Sequence, residues 1–194
     1  MNPAAWAAGW WCGARRCDSP NFGARPVGSV VSLALIHSIS LPPGEFGGDA
    51  IERLFTNRLD WDAHPYFTQI RGMTVSSHFL IRRDGELLQF VSCDERAWHA
   101  GTSSWRGRDN CNDYAIGIEL EGLEGMVFES AQYVALQGVL HTLAQRYPLD
   151  ALAGHEHVAP DRKIDPGAGF DWRRLIAMLD WPDRYFPEAV TRHI

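Results

Sequence analysis

A short stretch near the carboxyl end of the chain, GHEHVAPDRKIDPG at 154–167, brings together His155, Lys163 and Asp165. A further histidine, His37, ends an apolar run far upstream. Zinc sites that catalyse hydrolysis take three protein ligands from His, Asp, Glu or Cys and leave one position for water. His37, His155 and Asp165 can supply such a set, although ligands so far apart in sequence form no motif by themselves.

Each of these candidates also has an ordinary structural interpretation. A histidine is more often a surface or core residue than a metal ligand, and Asp165 before a proline can simply hold a turn. Lys163 can be a solvated cation, and Glu119 at the end of an alternating segment can be exposed. If the segment after residue 154 is extended, His157 faces the same side as His155 and is a competing ligand.

The candidate residues follow segments that are typical of strands. The apolar, β-branched run VVSLALIH at 30–37 predicts a buried strand that ends at His37. AIGIEL at 115–120 alternates and predicts a second strand, with Glu119 close to its end. LAGH at 152–155 predicts a third, short strand. Two metal ligands would then lie at strand ends, and Asp165 would lie in a loop.

The remaining patterns predict a hairpin and three helices. The hairpin spans 76–92, because the Asp84-Gly85 pair suits a tight turn with positive φ. The helices are DAIERLFTNRL with Asp49 and Glu52 as a capping box, a segment from Ser130 to Arg146 that ends before Pro148, and DWRRLIAMLD capped by Asp171. Strands interspersed with helices and one hairpin predict an α/β fold with a mixed central β-sheet flanked by α-helices.

Composition limits the classes of function. The length of 194 residues suits a single domain over 1–194, with its core at about 18–180. A net charge of −6 without a basic run argues against nucleic-acid partners. Neither a stretch of ~20 apolar residues nor a signal-peptide pattern occurs. We therefore expect a cytoplasmic monomer that does not bind membranes.

The four cysteines at 12, 17, 93 and 111 contain no CxxC pair, and we expect them to be free thiols. Cys12 and Cys17 could form half of a zinc knuckle, but no second Cys or His pair has the spacing to complete it.

Six blocks of the sequence resemble the AmpD-type N-acetylmuramoyl-L-alanine amidases over about residues 18–175. They are LIHSISLPPGEFGG, AHPYF, VSSHFLIRRDGELLQFV, ERAWHAG, CNDYAIGIELEG and GHEHVAPDRKIDPGAGFDW. The resemblance implies the amidase type 2 fold, which peptidoglycan-recognition proteins share, and one Zn2+ per chain. It also implies a cytoplasmic role in peptidoglycan recycling. The reaction implied is hydrolysis of the amide between 1,6-anhydro-N-acetylmuramic acid and the L-alanine of the stem peptide, so the expected partner is an anhydromuropeptide.

The resemblance also assigns roles to individual residues. The zinc ligands of the family fall on His37, His155 and Asp165. Glu119, in IGIELEG, falls on the glutamate that acts as general base on the attacking water and carries the proton towards the leaving nitrogen. Lys163 is then placed to stabilise the oxyanion or to assist protonation.

Candidate contacts with substrate follow less directly. Trp98 in AWHAG offers an aromatic face for the sugar or the peptide, and His99 beside it is a candidate for the cavity wall. Asn112 can pair with polar groups of the peptide. Arg106 and Arg108 can pair with carboxylates of the stem peptide.

Two other functions share this pattern. The first is an amidase that acts on intact or periplasmic peptidoglycan with the same fold and the same ligands. The second is a non-catalytic muropeptide sensor, which would tolerate loss of a ligand, whereas all three candidate ligands are present here together with Glu119 and Lys163. A comparison of substrates separates the first alternative, and chelation followed by zinc addition separates the second.

Overall fold

The structure is a computed structural model that describes residues 6–191. The strands are β1 (Trp6–Ala7), β2 (Trp10–Trp11), β3 (Arg15–Arg16), β4 (Phe22–Gly23), β5 (Leu33–Ile39), β6 (Phe79–Ile81), β7 (Leu87–Gln89), β8 (Arg96–Ala97), β9 (Ser104–Trp105), β10 (Arg108–Asp109), β11 (Ala115–Glu121) and β12 (Ala151–Gly154). The helices are α1 (Ala50–Phe55), α2 (Pro65–Gln69), α3 (Ser130–Arg146), α4 (His155–Val158), α5 (Trp172–Leu179) and α6 (Glu188–Thr191), with 3-10 turns at Cys111–Asp113 and Asp183–Tyr185. Within residues 6–191, no helix combines the length and the apolar composition that crossing a bilayer requires.

Six strands form the central sheet in the order β12-β5-β11-β6-β7-β3. Strands β12, β5, β11 and β6 run parallel to one another, and β7 is antiparallel to β6. Helix α3 packs on one face of this sheet through its buried residues. The predicted mixed sheet flanked by helices is therefore confirmed.

Alternation along β5 determines which face carries the candidate site. Ala34 and Ile36 pack in the cluster that contains α3, whereas Leu33 and Leu35 pack in a separate cluster on the opposite face. Successive side chains of a strand point to opposite faces. His37 therefore follows Leu33 and Leu35 on the face that α3 leaves open. The strand begins at Leu33, a little later than the apolar run suggests.

Strand β11 repeats this arrangement beside β5. Ile116 and Ile118 pack towards α3, so Gly117 and Glu119 lie on the opposite face. The parallel register pairs Glu119 directly with His37. Because paired residues project from the same face, these two side chains are neighbours at the carboxyl end of the sheet.

The hairpin predicted around Asp84-Gly85 is confirmed with shorter strands. Strands β6 and β7 pair antiparallel, with Leu80 opposite Leu88. Gly85 has a φ of 90°, in the left-handed region that a glycine adopts without strain. Gly85 N–H donates to the carbonyl of Arg82 and closes the turn.

The predicted capping box of α1 is wrong. Asp49 precedes the helix, but its side chain makes no capping hydrogen bond and instead pairs with Arg53 at 2.7 Å. Glu52 is also engaged elsewhere, because it accepts hydrogen bonds from Arg15 and Arg82. The helix ends at Phe55, earlier than the sequence pattern predicts.

The boundaries of the longer helices follow the prediction more closely. Helix α3 ends at Arg146, before Pro148, but its N-cap is Glu129 rather than Ser130. The backbone N–H of Glu129 donates to the side chain of Gln132. In α5, Asp171 is the N-cap as predicted, since its side chain accepts from the backbone N–H of Arg174.

Three helices, α2, α4 and α6, lie outside the segments predicted to be helical. Helix α2 begins at Pro65, in a segment for which the sequence pattern predicts no helix. Proline suits the first position of a helix, and His64 before it accepts a hydrogen bond from the backbone N–H of Tyr66. The His64-Pro65 pair is therefore the signal that could have identified the start of α2.

The cysteines are free, as expected. Cys93 and Cys111 are buried, Cys17 is half-buried and Cys12 is exposed. Burial raises the pKa of the Cys93 thiol, which keeps it protonated at neutral pH.

A buried ion pair connects the hairpin to the end of β11, and we expect its loss to destabilise the fold. Arg82 Nη1 lies 3.1 Å from Glu121 Oε1, and both side chains are almost fully buried. Replacement of Arg82 by methionine leaves the Glu121 carboxylate without its cation and should lower the free energy of unfolding by about 3–5 kcal/mol. Chemical denaturation measures this loss. The control Arg53→Met removes an exposed pair and should have a much smaller effect.

Candidate active site

Three side chains converge at the carboxyl ends of β5 and β12. His37 Nδ1 lies 2.9 Å from His155 Nδ1 and 3.2 Å from Asp165 Oδ2, and the third side of the triangle, from His155 Nδ1 to Asp165 Oδ2, is 3.1 Å. All three residues are buried. These separations are close to those of three ligand atoms around one ion with bonds of about 2.0–2.2 Å. The structure therefore brings together the predicted ligands as a group that can hold a metal ion.

Local structure places His155 and Asp165 beside His37. Strand β12 ends at Gly154, which is paired with Ile36, so the next residue, His155, lies next to His37. The sequence predicts that the strand includes His155, but His155 instead begins α4. The loop that follows returns to this point, because the backbone N–H of Glu156 donates to the carbonyl of Asp165 at 2.8 Å.

The chemistry of the three ligand atoms favours a cation. His155 Nε2 lies 3.0 Å from the carbonyl oxygen of Ala100, which can only accept. His155 therefore carries its proton on Nε2 and directs the lone pair of Nδ1 at His37 and Asp165. A neutral imidazole nitrogen beside a second imidazole and a carboxylate concentrates lone pairs at one point, which a bound metal ion neutralises.

The protonation states of the ligands also suit a metal ion. Burial lowers the pKa of His37 to about 4, the nearby Asp165 opposes this effect, and the nearby His155 lowers the pKa further. Burial raises the pKa of Asp165, but the close contacts with His155 and His37 outweigh it, and the net shift is downward. A neutral imidazole and an ionised carboxylate are the forms that bind metals.

Glu119 and Lys163 lie beside the three ligands. Glu119 is buried, and within residues 6–191 its Oε2 atom has no hydrogen-bond partner. Burial raises the pKa of Glu119 well above its usual value, the charge of Asp165 raises it further, and the charge of Lys163 lowers it. A buried carboxylate with a raised pKa and a free oxygen is suited to accept a proton.

The group opens into a cavity of about 460 Å³ that both polar and apolar side chains line. Its polar lining includes the three ligands, Glu119, Lys163 and His99, and its apolar lining includes Tyr66, Ile70, Met73, Val75 and Trp98. Cavities of this size hold small ligands, with a few polar groups to orient them. Trp98 and His99 thus line the cavity, as predicted for substrate contacts.

The other predicted substrate contacts are not among the described residues that line this cavity. The Arg106 side chain donates to the carbonyl of Arg184, and the Arg108 guanidinium lies 3.8 Å from the ring centre of Tyr114. Asn112 is buried, and its side chain bonds to the backbone of the His99 segment. The structure therefore does not bring these three residues to the ligand group.

Sequence reasoning missed a cation behind the site. Arg25 Nη1 donates to the carbonyls of Asn112 and Asp113, and its Nη2 donates to the carbonyl of Ala115. Nη2 also lies 3.2 Å from His78 Nε2. Burial and the charge of Arg25 lower the pKa of His78 to about 3, so this histidine is neutral. Nothing around Arg25 in the sequence signals these contacts, because they join distant segments.

The competing ligand His157 has another role in the structure. Its Nδ1 accepts a hydrogen bond from the backbone N–H of Gly154 at 2.9 Å, and its ring packs against Trp172. Because α4 is helical, His155 and His157 do not share one side as they would in a strand.

Two histidines, two carboxylates and a lysine gather where the carboxyl ends of parallel strands meet, an arrangement typical of metal-dependent hydrolases. The sequence profile described as N-acetylmuramoyl-L-alanine amidase matches residues 28–168. The chain belongs to this family, and the protein is an N-acetylmuramoyl-L-alanine amidase with the amidase type 2 fold.

Individual relatives agree with this assignment. The chain is 52% identical over 173 residues to the 1,6-anhydro-N-acetylmuramyl-L-alanine amidase AmpD of Escherichia coli K12, covering 88% of this chain and 94% of the relative. A crystal structure of a selenomethionine derivative of AmpD superposes with a TM-score of 0.87 at 51% identity, covering 89% of this chain and 98% of that one. The amidase AmiD of E. coli, in complex with the substrate anhydro-N-acetylmuramic acid-L-Ala-D-gamma-Glu-L-Lys, superposes with a TM-score of 0.56 at 28% identity, covering 79% and 60%.

Proposed function

We propose that the protein is a zinc-dependent enzyme of peptidoglycan recycling. Its reaction is hydrolysis of the amide between 1,6-anhydro-N-acetylmuramic acid and L-alanine. The observation that carries the proposal is the convergence of His37, His155 and Asp165 beside Glu119. The identity of 52% to an amidase named for this anhydro substrate supports the choice of substrate.

Two imidazoles and one carboxylate suit Zn2+, which accepts nitrogen and oxygen ligands in a site that keeps a position for water or substrate. One ion per chain would be held by His37 Nδ1, His155 Nδ1 and Asp165 Oδ2, the three atoms that converge. When bound, zinc polarises a carbonyl oxygen and makes water a better nucleophile at neutral pH. The fit rests on atoms that already face one another, so binding requires little rearrangement of these side chains.

The chain supplies the proton transfers of the reaction. We assign Glu119 as the general base that accepts a proton from the attacking water, because its carboxylate has a free oxygen and lies beside His37 in the register of the sheet. The same carboxyl group then carries the proton towards the alanine nitrogen. Lys163 brings an ammonium group to the cavity, where it stabilises negative charge on the substrate oxygen or assists protonation.

We propose that the substrate contacts some of the apolar side chains that line the cavity. Trp98 lines the cavity, and its backbone N–H donates to the hydroxyl of Ser76, which keeps the segment in place. Aromatic faces commonly bind sugar rings and apolar parts of peptides. We therefore keep Trp98 and His99 as candidate contacts. Arg106 and Arg108 are engaged elsewhere and remain sequence predictions for the carboxylates of the stem peptide.

Removal of metal provides the direct test of this function. Treatment with EDTA is expected to abolish hydrolysis of a defined anhydro-N-acetylmuramyl tripeptide, and one equivalent of zinc should restore it. Mass spectrometry should identify free anhydro-N-acetylmuramic acid and the peptide as products. Hydrolysis that persists without metal would contradict the proposed chemistry.

The same experiment distinguishes the alternatives. Faster release of peptide from intact sacculi than from the anhydro substrate would favour an amidase of the cell wall itself. Binding of the muropeptide without turnover, with or without zinc, would favour a sensor. The cytoplasmic location and the monomeric state stay predictions, which fractionation of cells and size-exclusion chromatography can test.

A further inference from the structure

One short loop contacts the outward nitrogens of both histidine ligands. His37 Nε2 lies 2.9 Å from His99 Nδ1, and His155 Nε2 lies 3.0 Å from the carbonyl oxygen of Ala100. His99 and Ala100 are consecutive, so two adjacent positions face the two imidazoles on the sides that point away from Asp165. The orientation of both rings therefore depends on where this dipeptide lies.

These contacts decide which nitrogen of each ring is available to a metal. The Ala100 carbonyl accepts the Nε2 proton of His155, which leaves a lone pair on Nδ1. For His37 to present the lone pair of Nδ1 in the same way, its Nε2 must donate a hydrogen bond to His99 Nδ1. The two imidazole rings are nearly perpendicular, with an angle of 84° between their planes. The tautomer of a ligating histidine is set by the hydrogen bond of its other nitrogen.

A single side chain holds both residues of the dipeptide. Asn112 Oδ1 accepts hydrogen bonds from the backbone N–H groups of His99 at 3.1 Å and Ala100 at 2.8 Å. Asn112 is only 7% exposed, and its backbone carbonyl accepts a hydrogen bond from Arg25 Nη1. A buried side chain that binds two consecutive amides restricts that dipeptide more strongly than either hydrogen bond alone would.

Packing restricts the His99 ring from the opposite direction. Gly117 lies under this ring, and a Cβ atom at that position would approach His99 Cγ to 2.5 Å. The ring therefore occupies the space that a side chain on β11 would fill. Gly117 is next but one to Glu119 in the same strand and on the same face, so the glycine and the proposed base share one surface.

We infer that Asn112 is a positioning residue of the metal centre, because its side chain holds the His99-Ala100 backbone that orients both histidine ligands. This inference rests on the proposed function of the centre in binding zinc. It gives Asn112 a role different from the substrate contact that the sequence suggested. The role acts through two backbone amides and one imidazole, without contact between Asn112 and the metal.

Two substitutions at Asn112 test the acceptor directly. Asn112→Leu has a similar volume but no acceptor, and it should weaken zinc binding by up to about 100-fold, because it displaces the hydrogen-bond partners of both histidine ligands. Asn112→Asp keeps an oxygen for both amides, and the buried carboxylate is stabilised by these donors and by Arg25 nearby. It should bind zinc about as tightly as the unsubstituted chain. Competition with a chromophoric zinc chelator measures the affinity, and thermal unfolding without metal reports whether each variant is folded.

A substitution at Gly117 provides independent evidence, even if Asn112→Leu does not fold. Gly117→Ala should displace the His99 ring and weaken zinc binding while the three ligands are unchanged. The matched control is Gly138→Ala, in the middle of α3, where an added Cβ meets no atom within 4 Å. This control should bind zinc normally.

The possible outcomes separate the inference from the function on which it rests. If the unsubstituted chain binds no zinc, the proposed function is wrong. If it binds zinc and folded Asn112→Leu or Gly117→Ala binds equally well, only the positioning role is overturned. Equal losses in Asn112→Leu and Asn112→Asp would also overturn it, because the acceptor would then not be the reason. A loss in the leucine variant with recovery in the aspartate variant supports the inference.

Discussion

Replacement of Glu119 by alanine is expected to lower kcat for hydrolysis of the anhydromuropeptide by ~10²–10⁴-fold, the usual contribution of a positioned acid or base. The carboxylate is buried, lies beside His37 in the sheet and has an oxygen without a partner among residues 6–191. The three metal ligands are untouched, so the zinc content should equal that of the unsubstituted chain. Initial rates with a defined substrate and elemental analysis measure the two quantities separately.

The charge and the shape of Glu119 can be separated with a second variant. Glu119→Gln keeps the size of the side chain but cannot accept a proton as a carboxylate does, so it should be about as slow as Glu119→Ala. Glu45→Ala, which removes an exposed glutamate from the loop before α1, is the control and should retain normal kcat. Normal hydrolysis by Glu119→Ala would show that the role of general base belongs to another group.

The placement of Glu119 illustrates what can be predicted from the sequence. The alternation in AIGIEL predicts a strand and the face of the sheet on which each of its side chains lies. The apolar run that ends at His37 predicts a second strand. The order of the strands brings the two residues together, and burial of apolar side chains on both faces is consistent with two strands inside the sheet. One apolar run and one alternating segment therefore predict two strands of the sheet and the two site residues that these strands carry.

Local signals were weaker wherever distant charges competed with them. Asp49 and Glu52 have the spacing of a capping box, yet Asp49 pairs with Arg53 and Glu52 binds Arg15 and Arg82. Two of these partners come from strands or turns that are remote in sequence. A helix cap predicted from four residues has no information about such ion pairs, so the predicted capping hydrogen bonds are wrong although Asp49 does precede the helix.

The support around the site was the least visible part of the sequence. Asn112 is a polar residue in a loop, and from its type alone a contact with substrate is as natural as a bond to the backbone. Its partners, His99 and Ala100, and the cation Arg25 come from other segments. Contacts of this kind depend on the folded arrangement of loops, for which the sequence offers no periodic pattern.

Replacement of His37 by alanine is expected to remove zinc from the protein. His37 Nδ1 is one of the three atoms that converge, and the two remaining ligands, His155 and Asp165, cannot fix the ion with the geometry of a three-ligand site. Loss of an outer hydrogen-bond partner weakens metal binding by about 10–100-fold, so loss of a ligand itself should weaken it further. Elemental analysis after gel filtration should find almost no zinc, and hydrolysis should fall to the background rate.

The effect of this substitution can be separated from a general loss of structure. His141→Ala removes a histidine on α3 that packs near Trp181, and it should retain both zinc and activity. Thermal unfolding without metal should show that His37→Ala is folded, because the apolar clusters on both faces of β5 remain. A folded His37→Ala variant that retains zinc at the level of the unsubstituted chain would mean that the ion binds elsewhere, and the assignment of all three ligands would then be wrong.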